Sequence, residues 1–335
     1  MADRKIRKHI AVVAAFLLAL IAVQILYLAK VSVWDGDELA AHPLNTRTAL
    51  MEKDIVRGRI VDHEGRVLAE SSADGSRSYP YGRILAPVTG YQTERYGATG
   101  VEQVEGQALS GVTADVAHMG PLRTLLRADA GYDVRLTVDA KLSEAAWNAL
   151  GSRHGAVVVM DASTGAVLTM VSAPSFDPAS AERHWDELST RADSPLLNRV
   201  TQGLYPPGST FKTLIADAAL TDGKTNADEI FHCDGVLQVG SESIRESHGA
   251  VHGDVHLADA VAESCNVAFS TLALRLGADG LEKAFHRFGF DAVPDGLDFI
   301  AAAPVLPAFH TLSDIDTALV GIGQSTLLVT PLSML

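Results

Sequence analysis

Two short groupings of side chains in this sequence have the types and spacing for nucleophilic catalysis. The first is Ser209-Thr210-Phe211-Lys212, preceded by Tyr205-Pro206-Pro207-Gly208. Where such a tetrad opens a helix, the i,i+3 spacing sets Lys212 one turn from Ser209 on the same face, so that its amine can take the hydroxyl proton. A helix start also offers unpaired backbone N–H groups and a positive dipole end to a developing oxyanion. The neutral amine is costly in water: with an ordinary pKa near 10.4 it lies about 4.6 kcal/mol uphill at pH 7. Burial lowers that cost. The second grouping is Ser264-Cys265-Asn266, with a hydroxyl to relay a proton and an amide to hold substrate. Each pattern alone is weak. Ser-x-x-Lys is often a capping serine followed by a solvated lysine, and Ser-x-Asn is often a polar break between helices. Their joint occurrence, in this order, is what points to chemistry.

The elements that must position these residues are partly legible. Phe211, Leu214, Ile215, Ala216, Ala218, Ala219 and Leu220 make the stretch after Ser209 apolar almost all round, predicting a central buried helix with a stop at Gly223. A second helical pattern runs from Leu257 to Leu276, stopped by Gly277 and containing Ser264 and Asn266. Upstream, Ala156 to Met160 and Ala166 to Val171 flank Asp161-Ala162-Ser163-Thr164-Gly165, predicting a hairpin buried on both faces. Asp139 is placed to cap a helix ending near Leu150, and the stretch from Arg57 to Ala69 reads as two short strands about Glu64-Gly65. The expected fold class is therefore α+β: a small β-rich region over 31–150, then a domain over 151–335 that starts with a hairpin and is mainly helical.

The 335 residues carry 27 basic and 41 acidic side chains, a net charge of −14. That balance argues against nucleic acid, whose phosphates need a basic face. The length suits roughly two domains. Arg4, Lys5, Arg7 and Lys8 precede an apolar run from Ile10 to Ala29, interrupted only by Gln24. Twenty helical residues rise about 30 Å, the thickness of a bilayer core. The flanking cations predict a cytoplasmic tail over 1–9, a signal-anchor over 10–29 and an extracytoplasmic remainder. The run is too long, and leads too directly into Leu26, Tyr27, Leu28 and Lys30, for a cleaved signal peptide.

Ser-x-x-Lys followed by Ser-x-Asn resembles the active-site order of penicillin-binding proteins and serine β-lactamases. The resemblance extends further. Arg57-Gly58 to Leu68-Ala69 is similar to the N-terminal signature of class B penicillin-binding proteins, with His63-Glu64 departing from its usual basic residue. Gly155 to Pro178, Ser194 to Arg199, Tyr205 to Lys212, His248-Gly249, Gly323-Gln324 and Thr330-Pro331-Leu332 look like the transpeptidase domain, and the short region after the anchor looks like the small actinobacterial type. The resemblance implies D,D-transpeptidation of peptidoglycan stem peptides without a metal or cofactor. Ser209 would be the nucleophile, Lys212 the general base, Ser264 a proton relay and Asn266 a substrate ligand. β-Lactams would acylate Ser209, and glycosyltransferase and divisome membrane proteins are the partners implied. Two alternatives keep the same residues: a non-catalytic, membrane-anchored interaction protein of the cell wall, and a D,D-carboxypeptidase or β-lactam sensor.

The family's third element, Lys-Thr/Ser-Gly, does not follow Ser264; Lys224-Thr225-Asn226 precedes it and lacks the glycine. The expectation is thus of a transpeptidase domain truncated before that motif, ending uncapped at Thr330 to Leu335, and inactive or barely folded as it stands. His248, His252 and His256 have i,i+4,i+8 spacing, but Gly249 and Gly253 make a helix there poor, and no metal site is expected. Cys233 and Cys265 are open to either reading, a disulfide or two free buried thiols. Trp185, Tyr205 and Phe211 are expected in the core or a groove wall.

Overall fold

The computed structural model describes residues 2–33, 56–72, 74–111, 130–293 and 298–335. Helix α1 (Ala2–Val33) contains the apolar run. Its segment Val12–Val31 has a mean hydropathy of 2.6 and no buried part, so it is long and apolar enough to cross a membrane. The chain falls into two compact units, the first of which includes α1.

The first unit comprises Met1–Gly82, Thr89–Leu136 and Asp177–Arg183. Its sheet joins β1 (Ile60–Val61), β2 (Val67–Ser71), β3 (Arg77–Ser78) and β6 (Val134–Arg135) in the order β3-β2-β1-β6. β1 and β2 are antiparallel about the Glu64-Gly65 turn, where the Asp62 carboxylate accepts the N–H groups of Glu64 and Arg66. Helix α2 (Gly82–Thr89) lies almost wholly in the second unit; back in the first come β4 (Gln92–Thr93), β5 (Gly97–Ala98), α3 (Gly100–Val104) and α4 (Gly106–Leu109). Glu102 of α3 is buried between two guanidinium groups, accepting Arg57 Nε and Arg77 Nε at 2.7 Å each. Arg57 also donates to Ser110 Oγ at 2.9 Å and Arg77 to the Gly58 carbonyl at 2.8 Å, which ties the strands to the short helices. A buried ion pair survives only with such added hydrogen bonds.

The second unit comprises Arg83–Val88, Thr137–Phe176 and His184–Leu335. In this unit α5 (Ala140–Leu150) packs on the hairpin that follows it. Asp139 caps that helix, accepting Lys141 N at 2.8 Å, and its own N–H donates to Leu168 O at 2.8 Å. The hairpin pairs β7 (Gly155–Met160) with β8 (Val167–Ala173). β8 is largely buried and β7 only half-buried, so the two strands are not equally covered as expected. The helix over Ala140–Leu150 packs more closely on β8 than on β7, and each strand of this two-stranded sheet keeps one edge without a neighbour among the described residues.

Beyond α6 (Trp185–Thr190), helix α7 (Lys212–Thr221) is central, with Leu214, Ile215, Ala216, Ala218 and Ala219 buried. Two small antiparallel pairs follow, β9 (Ile230–Cys233) with β12 (Gly253–His256), and β10 (Val236–Val239) with β11 (Glu242–Arg245). The second helical pattern is split into α8 (Leu257–Ala262) and α9 (Asn266–Arg287). Gly277 does not end α9; it takes a non-helical φ of 63° and the helix resumes. Helix α10 (Asp314–Val320), capped by Ser313, completes the set. The core is built on α7 and α9, with a cluster of rings in which Phe211 and Phe285 have centroids 5.0 Å apart and Phe285 and Phe309 also 5.0 Å.

Candidate active site

Ser209 stands in a single 3₁₀ turn, Gly208–Phe211, whose last backbone bond runs from Lys212 N–H to the Ser209 carbonyl; Lys212 then opens α7. The turn is pinned by the residue between them. Phe211 is fully buried and stacks among Phe285 and Phe290, so Ser209, two positions earlier, is carried to the exposed side. Gly208 has φ 60°, and its N–H donates to Gly323 O at 2.9 Å. Gly323, with φ 69°, lies so close to Gly208 that a Cβ there would collide with the Gly208 backbone. Tyr205 and Val329 exchange both backbone hydrogen bonds at 2.9 Å, which holds the approach to the turn. Tyr205 itself is exposed rather than core.

Lys212 is 2% exposed. Its Nζ donates to Ser264 Oγ at 2.9 Å, to Asn266 Oδ1 at 2.7 Å and to the Ser264 carbonyl. An ammonium has three donors, and these three acceptors use all of them. Burial holds the Lys212 amine below the usual lysine range, and the negative charge of Glu246 works against that shift. Among the described residues the Ser209 hydroxyl has no hydrogen-bond partner, so the Lys212–Ser209 contact that the spacing implies is not made in this arrangement.

Ser264 is the linker between α8 and α9, and its φ of 55° is left-handed backbone that a serine rarely takes. That conformation turns its carbonyl and its hydroxyl toward the same cation. Asn266 is the first residue of α9; its Oδ1 faces Lys212 and its Nδ2 donates to Arg245 O at 2.9 Å. The chain thus brings Lys212, Ser264 and Asn266 together and sets Ser209 one turn before them. Sequence reasoning missed Glu246. Buried behind the Ser264–Asn266 segment, it accepts Val267 N–H at 2.8 Å and the Cys265 thiol at 3.3 Å. A carboxylate in an ordinary-looking stretch between two strand pairs carries no pattern that would reveal this.

Cys233 and Cys265 are both free and buried, and burial pushes the Cys265 thiol up to about 12. Together with Glu246 and His252 they bring one ligand-type atom each to within 4.8 Å of the others, close enough to share a cation; here hydrogen bonds join them. His248, His252 and His256 do not share a helix: they lie in a 3₁₀ turn, a loop and the end of β12.

The chain is similar to known proteins in sequence and in fold. A family profile described as the penicillin binding protein transpeptidase domain matches residues 155–335, and one for the penicillin binding protein A dimerisation domain matches residues 57–129. The peptidoglycan D,D-transpeptidase PbpA of Mycobacterium tuberculosis is 35% identical over 96% of this chain and 70% of that protein. MrdA of Escherichia coli, also a peptidoglycan D,D-transpeptidase, is 33% identical over 60% of this chain and 32% of its own length. The solved imipenem acyl-enzyme of penicillin-binding protein A from M. tuberculosis superposes with a TM-score of 0.75 at 31% identity, covering 84% of this chain and 70% of that one. By sequence and by fold, this chain belongs to the penicillin-binding proteins with a transpeptidase domain.

Proposed function

We propose that this chain is a peptidoglycan D,D-transpeptidase that works through an acyl-enzyme on Ser209. The observation that carries this reading is the Lys212 amine, buried and held by Ser264 and Asn266 immediately after an exposed serine. In the proposed reaction Ser209 Oγ attacks the carbonyl of the penultimate D-alanine of a stem peptide. Lys212, once neutral, takes the hydroxyl proton, exchanging one of its present hydrogen bonds for Ser209. The bond to the terminal D-alanine breaks, and the leaving amine receives its proton through Ser264. The acyl group then passes to an amine of a neighbouring stem. Asn266 orients the substrate amide, for which its Nδ2 has a second N–H beyond that given to Arg245 O. The backbone N–H of Ser209 supplies one oxyanion donor. β-Lactams enter by the same attack, with the ring amide opened in place of the peptide bond.

The basic flank of Arg4, Lys5, Arg7 and Lys8 supports an orientation with the short N-terminal tail in the cytoplasm and both folded units outside. That side of the membrane is where peptidoglycan and β-lactams are met. An anchored enzyme would work beside membrane proteins of the cell-wall machinery, glycosyltransferases and divisome components among them.

The test is labelling with a fluorescent penicillin over hours, comparing the chain with Ser209→Ala. Labelling that vanishes in Ser209→Ala supports the reading; labelling indifferent to Ser209 refutes it.

A further inference from the structure

Arg245 is the last residue of β11, and its backbone is fixed from both sides. It lies opposite Val236 of β10, and the N–H of the residue after it donates to Gly235 O at 2.9 Å. Side chains alternate along a strand. Ile244 is buried with Val239 and Ala318, so Arg245 is turned to the opposite, exposed face. Its carbonyl accepts Asn266 Nδ2 at 2.9 Å. The guanidinium therefore rises from a backbone that touches the very amide read above as the substrate ligand.

Among the described residues that guanidinium makes no hydrogen bond and no ion pair. Most arginines of the second unit are engaged. Arg191, Arg275 and Arg287 pair with Asp193, Glu229 and Asp217. Arg153 and Arg199 donate to backbone carbonyls. Arg83 is also open among the described residues, but it stands on α2, which holds no residue of the proposed mechanism. The chain has 41 acidic side chains against 27 basic ones, so carboxylates to pair with a stray arginine are plentiful, and this one is still open. Lys212, the other cation of the site, has all three donors in use. Arg245 is thus the cation at the site with donors to spare, and its planar fork fits the two oxygens of a carboxylate.

We propose that Arg245 is a specificity-determining residue that binds a carboxylate of the donor stem peptide as the peptide lies along Asn266. The inference rests on the transpeptidase reading of Ser209. Two groups of the donor have this chemistry. One is the carboxylate of the terminal D-alanine, which leaves; the other is that of an acidic residue upstream of the scissile bond, which stays on the enzyme.

The test is the rate of Ser209 acylation by three penicillins, read by mass spectrometry on the full chain in detergent, for the unmodified chain, Arg245→Gln and Arg245→Lys. Benzylpenicillin carries one carboxylate, on the ring that stands for the leaving residue. Its methyl ester carries none, and carbenicillin adds a second on the retained acyl side chain. Arg245→Gln is expected to slow acylation about tenfold where the recognised carboxylate is present and not where it is absent, as loss of a hydrogen bond to a charged group does. Slowing of benzylpenicillin and carbenicillin but not of the ester assigns the terminal carboxylate; slowing of carbenicillin alone assigns the upstream one. Arg245→Lys should recover part of the loss, and the melting temperature should change little in either variant. Equilibrium dialysis of the same three compounds against Ser209→Ala, with and without Arg245→Gln, should show the same selectivity and decides the proposal without the acyl step. Equal effects of Arg245→Gln on all three compounds, or no effect on any, overturn it. Absence of a Ser209 adduct in the unmodified chain counts against the transpeptidase reading instead, because the dialysis does not depend on that reaction.

Discussion

The Lys212 amine has three donors as an ammonium and three acceptors around it, supplied by two residues, so its charged form is well housed despite its burial. Desolvation nonetheless pulls its pKa below the ordinary lysine value of 10.5. The sign for activity follows: the base works when neutral, so acylation should rise with pH through a limb lying below 10.5. Stopped-time penicillin labelling across pH checks this, and a limb at or above 10.5 contradicts it. Replacing Lys212 by alanine should lower the acylation rate by about 10²–10⁴, the usual worth of a positioned general base. At this scale the sequence was most informative. The two short patterns were legible as residue types at fixed spacing, and the structure brings Lys212, Ser264 and Asn266 of those patterns together. Glu246 was not legible, since a buried carboxylate that caps a helix has no characteristic neighbours in the chain. The hydrogen-bond pattern also departs from the spacing argument: proximity of Ser209 and Lys212 in sequence does not by itself make their side chains bond.

Elements place these residues by packing. Phe211 is fully buried among Phe285 and Phe290, directly between Ser209 and Lys212 in sequence. Phe211→Ala should cost about 3–5 kcal/mol of stability, as truncation of a buried aromatic ring does. Chemical denaturation checks the figure, and the Ser209 adduct should form less even where the protein remains folded. The second device is the contact of Gly323 with Gly208. Gly323→Ala sets a Cβ on the Gly208 backbone and demands a φ near 69° of an alanine, so it should displace the nucleophile turn and abolish acylation while most of the fold survives. Near-normal acylation by this variant would refute the role given to that contact. The hairpin, the Asp139 cap and α7 were readable because turn residues, caps and apolar runs are local signals. The break at Ser264 was readable only as a polar interruption. What sequence could not supply was the approach of residues 323–329 to residues 205–208, which are more than a hundred positions apart. The half-buried state of β7 depends on what packs against it, and a run of valines does not carry that information.

The whole molecule forms two compact units, the first carrying the apolar helix and the second holding every residue of the proposed mechanism. The first unit rests on the buried Glu102 with its two arginines. Glu102→Ala removes the one carboxylate that both guanidinium groups share and should cost that unit about 3–5 kcal/mol. Hydrogen exchange over residues 56–111 checks this directly, and unchanged protection there would contradict it. The central claim belongs to the entire chain: Ser209 is the nucleophile, and the Lys212 site activates it. The most direct measurement is peptide mass spectrometry of the chain after prolonged incubation with benzylpenicillin. A single penicilloyl adduct on the peptide containing Ser209, absent in Ser209→Ala and strongly reduced in Lys212→Ala, is the predicted result. An adduct on another residue, or one that persists undiminished in Ser209→Ala, would contradict it.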